Sequence, residues 1–191
     1  MPRRPSPTAF YTEYLPRLVA AIVPKNTCLP FIVQLNVGIN SDNTQSFDLT
    51  LNEQGLLVQK QEKNPDFAVF CSKESWEVAT YDLWPKLIKH FHKNLSFGTN
   101  RLDRWAHRLR TMLSQPGAVD IFYVDDAGDV ARFALVIGSS RGPRAQVTLA
   151  DRDLWHILAA PTSLSLLQNR VRVEGDIHYA MSLIRLSLLA Q

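Results

Sequence analysis

Two stretches of this chain repeat one pattern of apolar residues, and that repetition limits the available folds more than any single motif. Val33, Leu35 and Val37 of "FIVQLNV" match Val119, Ile121 and Tyr123 of "AVDIFYV" at an offset of 86 residues, and Phe47 matches Phe133 at the same offset. The offset falls to 78 at Val69 and Cys71, which match Val147 and Leu149, as a shorter connection in the second copy requires. A helical stripe precedes each copy: Leu15, Leu18, Val19 and Ile22 in one case, Leu102, Trp105, Ala106 and Leu109 in the other. Two related units are the simplest reading of a match that long.

Each unit reads as a helix, three mainly antiparallel strands, then helices. Turn residues in "INSDNTQ" and "DDAGD" separate strands that alternate in polarity, as hairpins require. The expected class is α+β, a mainly antiparallel sheet with helices packed on one face so that the apolar side of every strand is covered. The expected organisation is a flexible tail over 1–11, an incomplete unit over 12–98 and a complete unit over 99–191. Completeness rests on "NRVRVEGDIHYAMSLIRL", which has no clear counterpart in the first copy. There Val171 and Val173 alternate with Arg170, Arg172 and Glu174. Gly175 punctuates, Asp176 is placed to cap a helix, and Ile177, Met181, Ile184 and Leu188 follow at helical spacing.

The order of "ARFALVIGSSRG", "ADRDLW" and "RVRVEGD" resembles the distal part of the sterol carrier protein 2 family, in which a strand passes through an acidic turn into a short helix. A further helix follows, then a strand ending in Gly-Asp or Gly-Asn, then a terminal helix. Residues 99–188 resemble that domain from end to end and residues 12–93 less fully. The resemblance implies non-catalytic binding and transport of an apolar ligand such as an acyl chain, a sterol or an isoprenoid quinone, with no cofactor. Similar bacterial domains act as accessory factors in ubiquinone biosynthesis. It also implies a pocket in the complete unit, lined by Phe133, Leu135, Trp155, Leu158, Leu167, Met181 and Ile184.

Energetics bear on such a pocket. At about 24 cal/mol per Å³, an empty apolar cavity of ~300 Å³ would cost roughly 7 kcal/mol, comparable with the ~5–15 kcal/mol stability of a whole domain. A carrier therefore fills, hydrates or braces its cavity, and the adaptable side chain of Met181 suits its wall. The competing reading is an interaction or accessory module whose pocket has been filled, which keeps this fold and binds a protein.

Charge is uneven. The formal net charge is +3, yet between Trp84 and Arg110 seven Lys and Arg residues face Asp103 alone, so that segment carries +6 and the rest −3. Lys86, Lys89 and Lys93 on one predicted helix and Arg101, Arg104 and Arg108 on the next form two rows at helical spacing. These are candidates for transient contact with an anionic membrane surface. Phe91 and Trp105, the aromatics among these cations, fall on the apolar stripes of their helices, which argues against nucleic acid as a partner.

Other chemistries find little support. "GSSRG" matches G-x-S-x-G with Ser140 in the nucleophile position, and Asp151, Asp153, His156 and His178 lie downstream. A nucleophile elbow runs from strand to helix, whereas Pro143 and "RAQVTL" predict a strand next, so a hairpin is expected here and an enzyme is not. His90 and His92 are two apart on a predicted helix and do not share a face, and "DDAGD" lacks a calcium loop's ligand pattern, so no metal is expected. Cys28 and Cys71 have no CxxC spacing and read as reduced thiols. "MPRRPSPTAF" contains no secretory core, no apolar run is long enough to span a membrane, and a cytoplasmic location is expected.

Overall fold

The computed structural model describes residues 5–22, 32–40, 43–60, 65–86, 111, 115–138, 141–154 and 171–188. Eight strands form one sheet: β1 (Val33–Asn40), β2 (Asn43–Asn52), β3 (Gly55–Lys60), β4 (Phe67–Ser72), β5 (Gly117–Val124), β6 (Val130–Ile137), β7 (Arg144–Ala150) and β8 (Val171–Gly175). Their order is β3-β2-β1-β4-β6-β5-β7-β8. Pairing is mainly antiparallel, the exceptions being the parallel pairs β1–β4 and β5–β7. The class is α+β.

The offsets of the apolar pattern reappear in the hydrogen-bonded registers. Val33 opposes Leu49 across β1 and β2, and Val119 opposes Leu135 across β5 and β6, each residue shifted by 86. Val33 also opposes Phe67 in the parallel pair β1–β4, while Val119 opposes Ala145 in β5–β7, the second partner now shifted by 78. Between the two offsets lies β3, which pairs with β2 through the tight turn at Asn52–Gly55 and lacks a counterpart between β6 and β7. "SFDLTLNEQGLLVQ" is therefore two strands, with Gly55 supplying φ +119° where they meet.

The connection after β6 corrects the expected hairpin at "GSSRG". Because β5 lies between β6 and β7, the chain crosses over the start of β5 before β7 begins. The crossing is tight enough to need glycine: a Cβ on Gly142 would sit 1.8 Å from the Pro116 carbonyl oxygen. The next element is a strand, as Pro143 and the alternation of "RAQVTL" require. Ser140 and His156 lie outside the described residues.

Helices supply two apolar clusters against the sheet. The chain joins the fold earlier than the tail expected over 1–11: α1 (Pro7–Ala9) is capped by Ser6 and continues through a π-helical turn (Phe10–Tyr14) into α2 (Leu15–Ile22). Phe10 and Tyr11 are buried because their rings meet Trp76 and Phe47, contacts that the local sequence cannot announce. Trp76 comes from α3 (Lys73–Glu77), which starts directly after β4 with Ser72 as its cap and runs on through a second π-helical turn (Val78–Leu83). With Leu15, Val37 and Phe47 these residues make the first cluster. The second contains Val119, Ile137, Val147 and Val171 from the sheet, and Tyr179 and Ala180 from α4 (Ile177–Leu188). At the start of α4, Asp176 accepts the backbone N–H of Tyr179 at 2.9 Å, so the junction read from "EGDIHY" forms as expected.

Candidate functional site

Between the two clusters the apolar face of the sheet is incompletely covered. Val69 and Cys71 on β4 oppose Leu135 and Phe133 on β6, and all four are only half-buried although β4 and β6 are the central strands. The flanking positions are closed: Val37 and Ile137 are both 0% exposed. The strip is apolar. Burial pushes the Cys71 thiol up to about 11, so it stays protonated at neutral pH.

Four residues of the sequence-predicted pocket fall on described elements. Phe133 and Leu135 share this strip, and Leu135 packs with Met181 of α4 against the second cluster. Ile184 lies in α4, whereas Trp155, Leu158 and Leu167 lie outside the described residues. Of the two basic rows, Lys86 alone is described; Lys89, Lys93, Arg101, Arg104 and Arg108 lie outside.

Lys86 has an internal partner. Its Nζ lies 3.2 Å from both carboxylate oxygens of Asp151, which starts a helical turn over 151–154 and is buried. The Tyr123 hydroxyl donates to the same carboxylate. Desolvation, then the hydrogen bond and negative charge of Asp151, raise the Tyr123 phenol well above its usual range. The cluster ties the helix after β4 to the far ends of β5 and β7. It is a strut between distant segments, with the aspartate fully engaged.

The opposite face of the sheet carries an arrangement that the sequence reading missed. Gln34 and Asn36 alternate with the apolar residues of β1 and read as solvent-facing, yet each is 5% exposed. Gln34 Nε2 donates to Asp48 at 2.9 Å, Asn36 Nδ2 to Gln34 Oε1 at 3.3 Å, and Ser46 Oγ to Asn36 Oδ1 at 2.7 Å. Beside this network opens a cavity of about 330 Å³ whose walls include Asn36, Thr44, Phe70, Ser72, Ser75 and Arg132. The available signals were amides in place of charges at the outward positions of "VQLNV" and an aromatic, Phe70, at an outward position of "FAVFCS".

No family model, curated protein or solved structure matches this chain. Among the described residues, no group of three His, Cys, Asp or Glu side chains is placed to hold a metal ion, and no helix is long and apolar enough to cross a membrane.

Proposed function

We propose that this protein binds and carries a hydrophobic ligand, an acyl, sterol-like or isoprenoid quinone lipid, as a fused pair of sterol-carrier-like units divided near residues 98 and 99. The observation that carries the reading is the half-buried apolar strip of Val69, Cys71, Phe133 and Leu135 at the centre of the sheet, set between two closed clusters. Water against such a strip is released when an apolar ligand covers it, at about 25 cal/mol per Å² of apolar surface removed. The strip offers no charge to anchor a polar substrate, and its thiol is held neutral, which favours binding over catalysis.

Mass spectrometry of organic extracts of the purified protein, followed by thermal shifts with the lipid classes found, tests the reading. A ligand specific for the folded state stabilises it by about 2.7 kcal/mol at a hundredfold excess over Kd. Phe133→Asp introduces a charge on the strip and is expected to abolish the shift while circular dichroism still reports the fold. Lipid-free extracts, with no shift from fatty acids, sterols or isoprenoid quinones, would sink it.

A second reading, an accessory module that binds a protein, is favoured by the tightness beneath Met181. Ile137 and Ala180 are 0% exposed and Val119 is 2% exposed, so the described part of the second cluster is filled by its own side chains. Lipid-free protein that captures a defined partner through the same strip would select this reading.

A further inference from the structure

We infer that the cavity on the polar face is a second binding site, one that takes a small, uncharged, planar ring with hydrogen-bonding edges, the chemistry of a nucleobase or its nucleoside. The inference does not rest on the carrier reading, because the site lies on the other face of the sheet.

Four observations support it. First, Phe70 stands on β4, one of the two central strands, with 44% of its surface exposed, and it lines the cavity. An aromatic left open in the middle of a sheet is a platform on which a flat ring can stack. Second, the space beside it is kept clear. Gly38 and Ala134 supply little or no side chain to the lining, and Phe70 directly opposes Ala134 in the β4–β6 register. That ladder ends at Cys71 and Phe133, where β4 passes into α3 while β6 runs on beside β5; the next amide, Arg132 N–H, donates instead to Ser75 Oγ at 2.9 Å, and the start of α3 and β6 both contribute to the wall of the cavity.

Third, the polar groups around the ring are neutral in sum. Asn36, Thr44, Ser72 and Ser75 bring an amide and three hydroxyls. The charged wall residue, Arg132, has its guanidinium engaged by Asp120, which accepts from Nη2 at 2.9 Å and from Nε at 3.3 Å. An anionic ligand would meet a cation already paired with a carboxylate. Fourth, about 330 Å³ lies at the lower end of the ~300–1,000 Å³ range of small-molecule sites, which suits one or two fused rings with a small substituent.

The wall is also pre-set. Asn36 is buried, its Nδ2 donates to Gln34 Oε1 and the Val69 carbonyl, and its Oδ1 accepts from Ser46, so what it has left for a ring edge is the second lone pair of an Oδ1 already fixed in place, with little side-chain entropy to lose.

The test is calorimetric titration of the intact protein with adenosine and, separately, with adenosine monophosphate. Saturable binding of adenosine at one site is expected, with the monophosphate no tighter. Phe70→Ala should weaken adenosine binding about tenfold through the lost stacking surface. Gly38→Val should block the cavity without touching the platform; a Cβ at Gly38 meets nothing closer than 3.6 Å, so the fold accepts a side chain there. Melting curves confirm that both variants are folded. Absence of saturable adenosine binding, or binding unchanged by both substitutions, would overturn the site. Tighter binding of the monophosphate would overturn its neutral character.

Discussion

Lys86 and Asp151 are 65 residues apart in sequence and 3.2 Å apart in space, one lysine nitrogen reaching both oxygens of one carboxylate. The two ends differ in burial: 44% of the Lys86 side chain is exposed, against 7% for Asp151. Removing each partner therefore has different consequences. Lys86→Ala takes away a screened, half-exposed charge and is expected to cost about 1 kcal/mol or less. Asp151→Ala leaves the buried Tyr123 hydroxyl without its acceptor and is expected to cost about 2–3 kcal/mol. Urea unfolding of the two variants measures the difference; equal effects would mean that the carboxylate is not the centre of the cluster.

The crossover from β6 to β7 makes a sharper prediction. A Cβ on Gly142 would overlap the Pro116 carbonyl at 1.8 Å, and both partners are backbone, so neither can rotate away. Gly142→Ala is expected to be among the most damaging single changes in the chain, costing upwards of 4 kcal/mol or preventing folding. Gly128 is the control. It has φ +89° in the β5–β6 turn but open space around its Cα, so Gly128→Ala carries only the left-handed backbone penalty of about 1–2 kcal/mol. Expression and melting of the pair decide whether close approach or backbone conformation dominates.

The contrast between those glycines also marks what could be read from the chain. The hairpin turns at "INSDNTQ" and "DDAGD", the helix cap at Asp176 and the inward side of "VRV" were legible because each depends on residues within a few positions of one another. The offsets of 86 and 78 were legible because the apolar pattern occurs twice in the chain, but which strands pair, and in what register, was not. What lay hidden was non-local. Nothing near Phe133 says that β6 will pair with β4, and nothing near Gly142 says that β5 will lie beneath it. The burial of Phe10 and Tyr11 depends on Trp76, to which Tyr11 is joined by an indole N–H donating to its hydroxyl at 2.9 Å. The cavity beside Phe70 needs four strands and the start of α3, so no single segment carries its signature.

Buried ionisable groups predict an alkaline loss of stability. Burial raises Cys71 from 9.0 to about 11 and, chiefly by desolvation, raises the phenols of Tyr11, Tyr123 and Tyr179. In the unfolded chain the thiol ionises near 9 and the phenols near 10 while the folded forms stay protonated. Above those values the unfolded state therefore binds fewer protons and stability falls as pH rises. The contribution is fully present below pH 9. Cys71 acts first, between about 9 and 11, and the tyrosines follow above 10, Tyr11 alone giving a slope of up to about 1.4 kcal/mol per pH unit. Urea midpoints across this range, with Cys71→Ala as the variant that should delay the onset, measure the effect. A flat profile to pH 11 would contradict the assigned burial of these groups.

The last prediction concerns whether the two halves can be separated. β4 belongs to the first half of the chain and β6 to the second, and their ladder runs from Phe67 opposite Ile137 to Cys71 opposite Phe133. A chain divided between residues 98 and 99 would leave each half with an unpaired central edge, and the apolar strip of Val69, Cys71, Phe133 and Leu135 would be split between two exposed surfaces. Such an edge is both unstable and prone to pair with other chains. The intact protein is expected to melt in one transition, and each half alone to be aggregated or only partly folded. The two halves produced together should reassemble, since the strand ladder and the ion pair of Lys86 with Asp151 both cross the division. Calorimetry of the intact chain and of the separate halves settles it: two transitions in the former, matched by the melting of two soluble, folded halves, would show that β4 and β6 meet without depending on each other.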